Sequence, residues 1–242
     1  MLYAELTSYN NPADPRTHLT DTAAPATKPV PAYAYVVPMA LFGVLTWVES
    51  QFPAQYPQLY ILKAILVTAA LVVFRANWRE VKWDSKALIP AIGVGILVLV
   101  EWIVVEKYLS YPHMGARTAY NPFKAIADPG LRMVFIGVRM LGLTLMVPLM
   151  EELFWRSFLI RIITKPEWQE MNPWNFSWMA FSAVAGLFAL AHPEWLAAVI
   201  CAVLYGLLLR QTKSLFACLV AHAVTNGLLG IYVLAGGNWT LW

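Results

Sequence analysis

Long apolar runs separated by short polar stretches occupy the chain from residue 31 onward. The runs fall at 31–52, 57–75, 87–105, 131–150, 175–192, 194–210 and 214–235. A helix needs about 20 apolar residues to cross a bilayer, and most of these runs reach that length. The pattern predicts an all-α, polytopic transmembrane helix bundle of about seven to eight spans. A β-barrel would instead show short alternating segments. The fourth run continues through Glu151–Thr164 and is too long for the hydrocarbon core unless it protrudes or bends. Pro148, which lacks a backbone donor, is the expected bend. His192-Pro193-Glu194-Trp195 reads as a tight turn between two shorter runs. Residues 1–30 are polar and carry Pro12, Pro15, Pro25 and Pro29, which predicts a disordered tail. They lack the basic and apolar regions of a signal peptide. The expected organisation is therefore a tail over 1–30 and a transmembrane domain over 31–242, without an internal repeat.

Composition supports a membrane protein. The 242 residues are 60% hydrophobic and 13% charged, about half the charged fraction of a soluble domain. A net charge of +3 is no argument for nucleic acid, so the expected partners are a lipid bilayer and whatever reaches the site through it. Lys and Arg set orientation. Arg75, Arg79, Lys82 and Lys86, then Arg161 and Lys165, then Arg210 and Lys213 mark cytoplasmic loops, with the N-terminus on the same side. The inner membrane of a cell or an endomembrane is the expected location. Cys201 and Cys218 lie in apolar runs without metal-type spacing and read as small buried hydrophobes.

Polar residues inside the apolar runs carry the chemistry, because ionisable groups at membrane depth are costly and rare. Glu151 and Glu152 precede Arg156. On a helix Glu152 and Arg156 share a face, whereas Glu151 points about 100° away. One carboxylate can thus be neutralised structurally while its neighbour faces another target. His192 follows Phe188 by four residues, and His222 precedes Asn226 by four. Taken singly, each pair could be interfacial charge or packing glue between helices. Lys63 is expected to snorkel, and Glu101 is the partner considered for Arg139.

Glu151-Glu152-xxx-Arg156, Phe188-xxx-His192 and His222-xxx-Asn226 together resemble the signature of the CAAX protease and bacteriocin-processing (CPBP, or Abi) family of intramembrane endopeptidases. The resemblance covers roughly 131–235, the expected catalytic core, and leaves the first three spans as generic membrane helices. Ser157 stands where many relatives have Gly. The resemblance implies that Glu151 activates a water with help from His192, and that His222 and Asn226 stabilise the oxyanion. Glu152 with Arg156 would hold the helix, with Phe188 in support. An intramembrane polar cavity is required, with the turn at Pro193 inside the membrane. The implied substrate is a membrane-tethered protein or peptide, possibly prenylated in the manner of CAAX tails. No cofactor is expected. A zinc site of Glu151, His192 and His222 is the weaker version, since HExxH is absent and the histidines come from separate helices.

Two other classes compete. A proton- or solute-coupled transporter would use the same groups as a relay, but such folds usually show repeat symmetry. A catalytically silent binding or immunity protein would be expected to have lost a motif member, and none is missing.

Overall fold

The computed structural model describes residues 29–115 and 119–242. The tail expected over 1–30 therefore lies outside the described residues, apart from its last two positions. Among the described residues there is no strand, and the chain is an all-α, polytopic membrane bundle. Its main helices are α1 (Tyr33–Gln51), α2 (Tyr56–Val73), α3 (Leu88–Tyr108), α4 (Pro129–Thr164), α5 (Trp178–Leu190), α6 (Trp195–Thr212) and α7 (Leu215–Gly236).

Six segments among the described residues are long and apolar enough to cross a membrane, fewer than the seven to eight expected. The difference lies at α5. Its 13 residues rise about 20 Å, short of a hydrocarbon core of about 30 Å. Both ends have local causes. The Ser177 hydroxyl caps the start by accepting from the Ala180 N–H at 3.1 Å, and Pro193 prevents continuation past Ala191. α4 errs the other way. At 36 residues it spans about 54 Å, so it extends beyond the core. Asp128 caps it and Pro129 takes its first position, an arrangement suited to a helix start. Pro148 does not end it. A π-helical turn at Gly142–Met146 precedes the proline, and a second runs over Glu152–Leu159. Wide turns of this kind accommodate the missing N–H and the ring.

α3 packs on α7 and α6, and α5 pairs with α6. Small residues permit the close approaches, as expected between helices in lipid. At Gly95 an added Cβ would lie 2.6 Å from the Ala221 carbonyl oxygen and 2.9 Å from Val224 Cβ. The Thr225 hydroxyl closes the same joint by donating to the Gly95 carbonyl at 2.7 Å, and it accepts from the Tyr205 hydroxyl at 2.7 Å. Three helices meet in that relay.

The intramembrane cations depart from expectation. Lys63 does not snorkel. It donates to Glu49 at 2.5 Å and to Thr46 at 3.0 Å, between the rings of Phe42 and Tyr60. Arg139 does not pair with Glu101. It donates to the Tyr56 hydroxyl at 2.5 Å and lies over the rings of Tyr60 and Trp242. Neither partner set could be read from sequence spacing, because each joins different helices.

Gly95→Ala is expected to lower unfolding free energy in mild detergent by about 1–3 kcal/mol, the cost of overpacking a tight contact. Gly93→Ala, on the same helix with nothing within 4 Å of the added methyl, is the control and should be neutral or slightly stabilising.

Candidate functional site

A continuous chain of contacts joins the three motif-bearing stretches. The His192 ring sits 4.5 Å from the Phe188 ring, centroid to centroid, on α5 and the turn after it. The Arg156 guanidinium of α4 lies over the Phe188 ring at 4.4 Å. Arg156 Nη1 donates to Glu152 Oε1 at 3.2 Å, and His222 Nδ1 of α7 donates to the same oxygen at 2.8 Å. Glu152 is wholly buried and Arg156 is 3% exposed. Two donors on one carboxylate oxygen compensate a charge that water cannot reach.

The second wide turn in α4 coincides with this cluster. It begins at Glu152 and contains Arg156, and π-helical turns are frequent at functional sites. Trp155 packs edge-on against Phe188, and Tyr205 of α6 lies under Arg156 and beside the His222 ring, whose centroid is 5.5 Å away. The cluster is therefore walled by aromatic faces, which attract a cation without needing solvent.

The sequence assigned Glu152 to Arg156 alone; the structure has it shared with His222. That sharing has a consequence for the imidazole. A carboxylate only accepts, so the proton on His222 Nδ1 points at Glu152. Nε2 is then an acceptor in the neutral ring and a donor only in the imidazolium. His192 is set by the same logic. Its Nδ1 donates to the Phe188 carbonyl at 2.7 Å, which leaves Nε2 of the neutral ring as an acceptor.

Glu151 is 6% exposed, and its Oε2 has no hydrogen-bond partner among the described residues. It is thus buried beside a compensated carboxylate while itself uncommitted. Asn226 donates from Nδ2 to the Leu143 carbonyl at 3.0 Å, inside the first wide turn of α4. Its second amide hydrogen remains available. Among the described residues no three His, Cys, Asp or Glu side chains converge as a metal-binding group, so Glu151, His192 and His222 do not form the three-ligand set considered above. Cys201 and Cys218 are free and buried, as their setting in apolar runs suggested.

The turn after α5 is held from outside the motifs. Trp195 Nε1 donates to the Pro112 carbonyl at 2.8 Å, and the Met114 N–H donates to the Pro193 carbonyl at 3.0 Å. A cleft of about 490 Å³ opens beside it, lined by Glu106, His113, Pro193, Glu194 and Asn238 among others. A second cleft of about 610 Å³ lies at the opposite end of the bundle, near Tyr35, Glu80, Arg161 and Trp168. Neither is lined by Glu151 or His222.

Sequence reasoning missed Tyr205, Trp155 and Trp102 as neighbours of the site. Trp102 approaches His192 edge-on at 6.0 Å. Only Trp102 carried a signal, since a tryptophan deep within a span departs from the interfacial belts where this residue concentrates.

Residues 134–228 match the family described as Rce1-like, "Type II CAAX prenyl endopeptidase Rce1-like". An Rce1-like domain of the CAAX protease, Abi/CPBP type is thus present over a stretch that begins within α4, ends within α7 and contains all three motifs. Comparison with curated proteins finds no match, and comparison with solved structures finds none.

Arg156→Met should lower stability by about 3–5 kcal/mol, because it takes one of two donors from a fully buried carboxylate. Glu152→Gln, which keeps an acceptor at that position, should cost less. Unfolding in detergent checks both; an Arg156→Met variant as stable as the wild type would show that the pair does not hold the cluster.

Proposed function

We propose that the chain is an intramembrane endopeptidase of CAAX-protease type that hydrolyses a peptide bond in a membrane-associated substrate with a glutamate-activated water. The observation that carries this reading is the contact chain from His192 through Phe188, Arg156 and Glu152 to His222, with the uncommitted Glu151 beside it. A transporter relay would use the same residue types, but the Rce1-like domain over 134–228 favours hydrolysis.

In the proposed reaction, Glu151 takes a proton from water as the oxygen attacks the scissile carbonyl carbon. His192 Nε2, with its other nitrogen committed to the Phe188 carbonyl, orients that water or receives its proton. The carbonyl π electrons move to oxygen, and the free amide hydrogen of Asn226 donates to the oxyanion. His222 can donate from Nε2 only as the imidazolium, for which Glu152 is the built-in counter-ion. Collapse of the tetrahedral species expels the amine, which leaves with the proton that Glu151 or His192 had taken.

Glu152, Arg156 and Phe188 are positioning residues in this scheme. They fix the His222 ring and separate it from His192. The substrate class proposed is a membrane-tethered protein or peptide, with prenylated CAAX-type tails as the first to test. The excess of Lys and Arg on the loops after α2, α4 and α6 supports a cytoplasmic N-terminus.

The test is reconstitution with quenched prenylated and non-prenylated peptides, with and without chelator. Glu151→Ala and His192→Ala are expected to abolish cleavage, and Asn226→Ala to reduce kcat by about 10²–10³-fold, as loss of an oxyanion donor does. Full activity in Glu151→Ala would remove the proposed base. Cleavage lost on chelation and restored by zinc would replace the metal-free scheme.

A further inference from the structure

The turn that carries His192 has little structure of its own. α5 ends at Leu190 and α6 begins at Trp195, and Pro193 between them has no N–H to give to either helix. No side chain caps the start of α6. His192 is only partly buried there, yet its ring lies between two others, Phe188 at 4.5 Å and Trp102 of α3 at 6.0 Å, centroid to centroid. A reacting group displaced by about 1 Å can cost about a hundredfold in rate, so such a turn needs a hold from outside.

The segment that follows α3 supplies one. Residues 109–113 run without regular structure, and Pro112 keeps Tyr111 out of helical geometry. Two hydrogen bonds fasten this segment to the turn. The Met114 N–H donates to the Pro193 carbonyl at 3.0 Å, and Trp195 Nε1 donates to the Pro112 carbonyl at 2.8 Å. The Tyr111 ring also meets Trp195 edge-on at 5.8 Å. Two more bonds fasten the segment to α3. The Tyr111 hydroxyl donates to Glu106 Oε1, and His113 Nε2 donates to Glu106 Oε2 at 3.0 Å, with the Tyr111 and His113 rings stacked at 4.6 Å. One carboxylate of α3 thus anchors the segment, and the segment anchors the turn.

Glu106 stands four residues after Trp102, so the two share a face of α3. Trp102 meets the His192 ring itself, while Glu106 holds the residues just after it through the segment. Glu106, His113 and Pro193 line the cleft of about 490 Å³, where water competes for the same polar groups. Bonds in such a setting add little to stability. What they supply together is geometry, and all of them converge on the one turn that carries a motif histidine.

We propose that residues 109–114 form a brace that fixes the position of His192, with Glu106 and Trp195 as the positioning residues at its two ends. The inference rests on the endopeptidase reading, in which His192 orients the attacking water or receives its proton. Neither residue touches the substrate, both act through His192, and no covalent step is involved. α3, which carries none of the three motifs, thereby takes part in the reaction from a distance. The two links lie in series, so breaking either one releases the same turn.

The test measures kcat and KM of the full chain in proteoliposomes with the cleaved quenched peptide, for Trp195→Phe, Glu106→Ala, Glu106→Gln and the Trp195→Phe/Glu106→Ala double variant. Trp195→Phe keeps a ring against Tyr111 and removes only the donor, and Glu106→Ala removes both acceptors. Each is expected to lower kcat about tenfold or more with KM within about twofold and an unfolding midpoint close to that of the wild type. Glu106→Gln keeps an oxygen for the Tyr111 hydroxyl and should recover part of the loss. The double variant should fall no further than the slower single variant, within about twofold, because the links are in series. Wild-type kcat in the folded single variants would overturn the inference and leave the endopeptidase intact. So would losses that multiply in the double variant, or that fall on KM alone. If Glu106→Ala does not fold, Trp195→Phe decides. No cleavage by the wild type would instead defeat the endopeptidase reading.

Discussion

One carboxylate oxygen organises the motif-bearing half of the molecule. Glu152 Oε1 takes a hydrogen bond from its own helix, through Arg156, and another from α7, through His222. Desolvating a carboxylate costs several kcal/mol, and only a well-aimed set of partners recovers it. The arrangement thus demands that α4 and α7 sit at a fixed distance and rotation. It also demands that the face of Arg156 away from the carboxylate meet something other than lipid. Phe188 and Tyr205 supply that from α5 and α6, at 4.4 and 5.3 Å from the guanidinium. Four helices are set by the needs of one buried charge.

The division of labour between adjacent glutamates follows from helix geometry. Successive residues point about 100° apart, so Glu152 can be consumed by structure while Glu151 looks elsewhere. Had both faced the same partners, the second carboxylate would have added repulsion in a medium where repulsion is poorly screened. The amide of Asn226 reaches the Leu143 carbonyl within the wide turn Gly142–Met146. Such turns leave carbonyls imperfectly satisfied along the helix, which is what lets a neighbouring side chain engage one.

Much of this was legible in the amino-acid order, and the reasons for the remainder are physical. The class of fold was plain, because apolar runs of membrane length admit few alternatives. The Glu152–Arg156 pair was legible because i,i+4 spacing is local. The His222–Glu152 bond was not, since it spans 70 residues and depends on how two helices rotate against each other. Lys63 misled for the same reason: near a span end a lysine can reach the interface, but Glu49 on the preceding helix offers a closer partner. The count of spans failed at α5, where hydropathy runs on through His192 while Pro193 and the Ser177 cap confine the helix to 13 residues. Hydropathy measures what lipid tolerates, not where backbone hydrogen bonding stops.

The wide turn over Glu152–Leu159 also fixes how the protein tolerates change in chain length. Beyond it, Arg161 grips Glu80 with Nη2 at 2.8 Å and the Ser157 carbonyl with Nε at 2.6 Å, while the Ser157 hydroxyl reaches Glu80 as well. That knot ties the α2–α3 connection to the end of α4. Removing a single residue between 157 and 160 would let the π segment relax toward ordinary α geometry, which takes up the missing residue and leaves everything after it facing as before. Arg161 would then still face Glu80, and Glu151 and Glu152 would keep their register. The bulge acts as a joint between a motif-bearing segment and an anchoring segment, and it holds the slack that lets the helix lose one residue there without releasing the anchor.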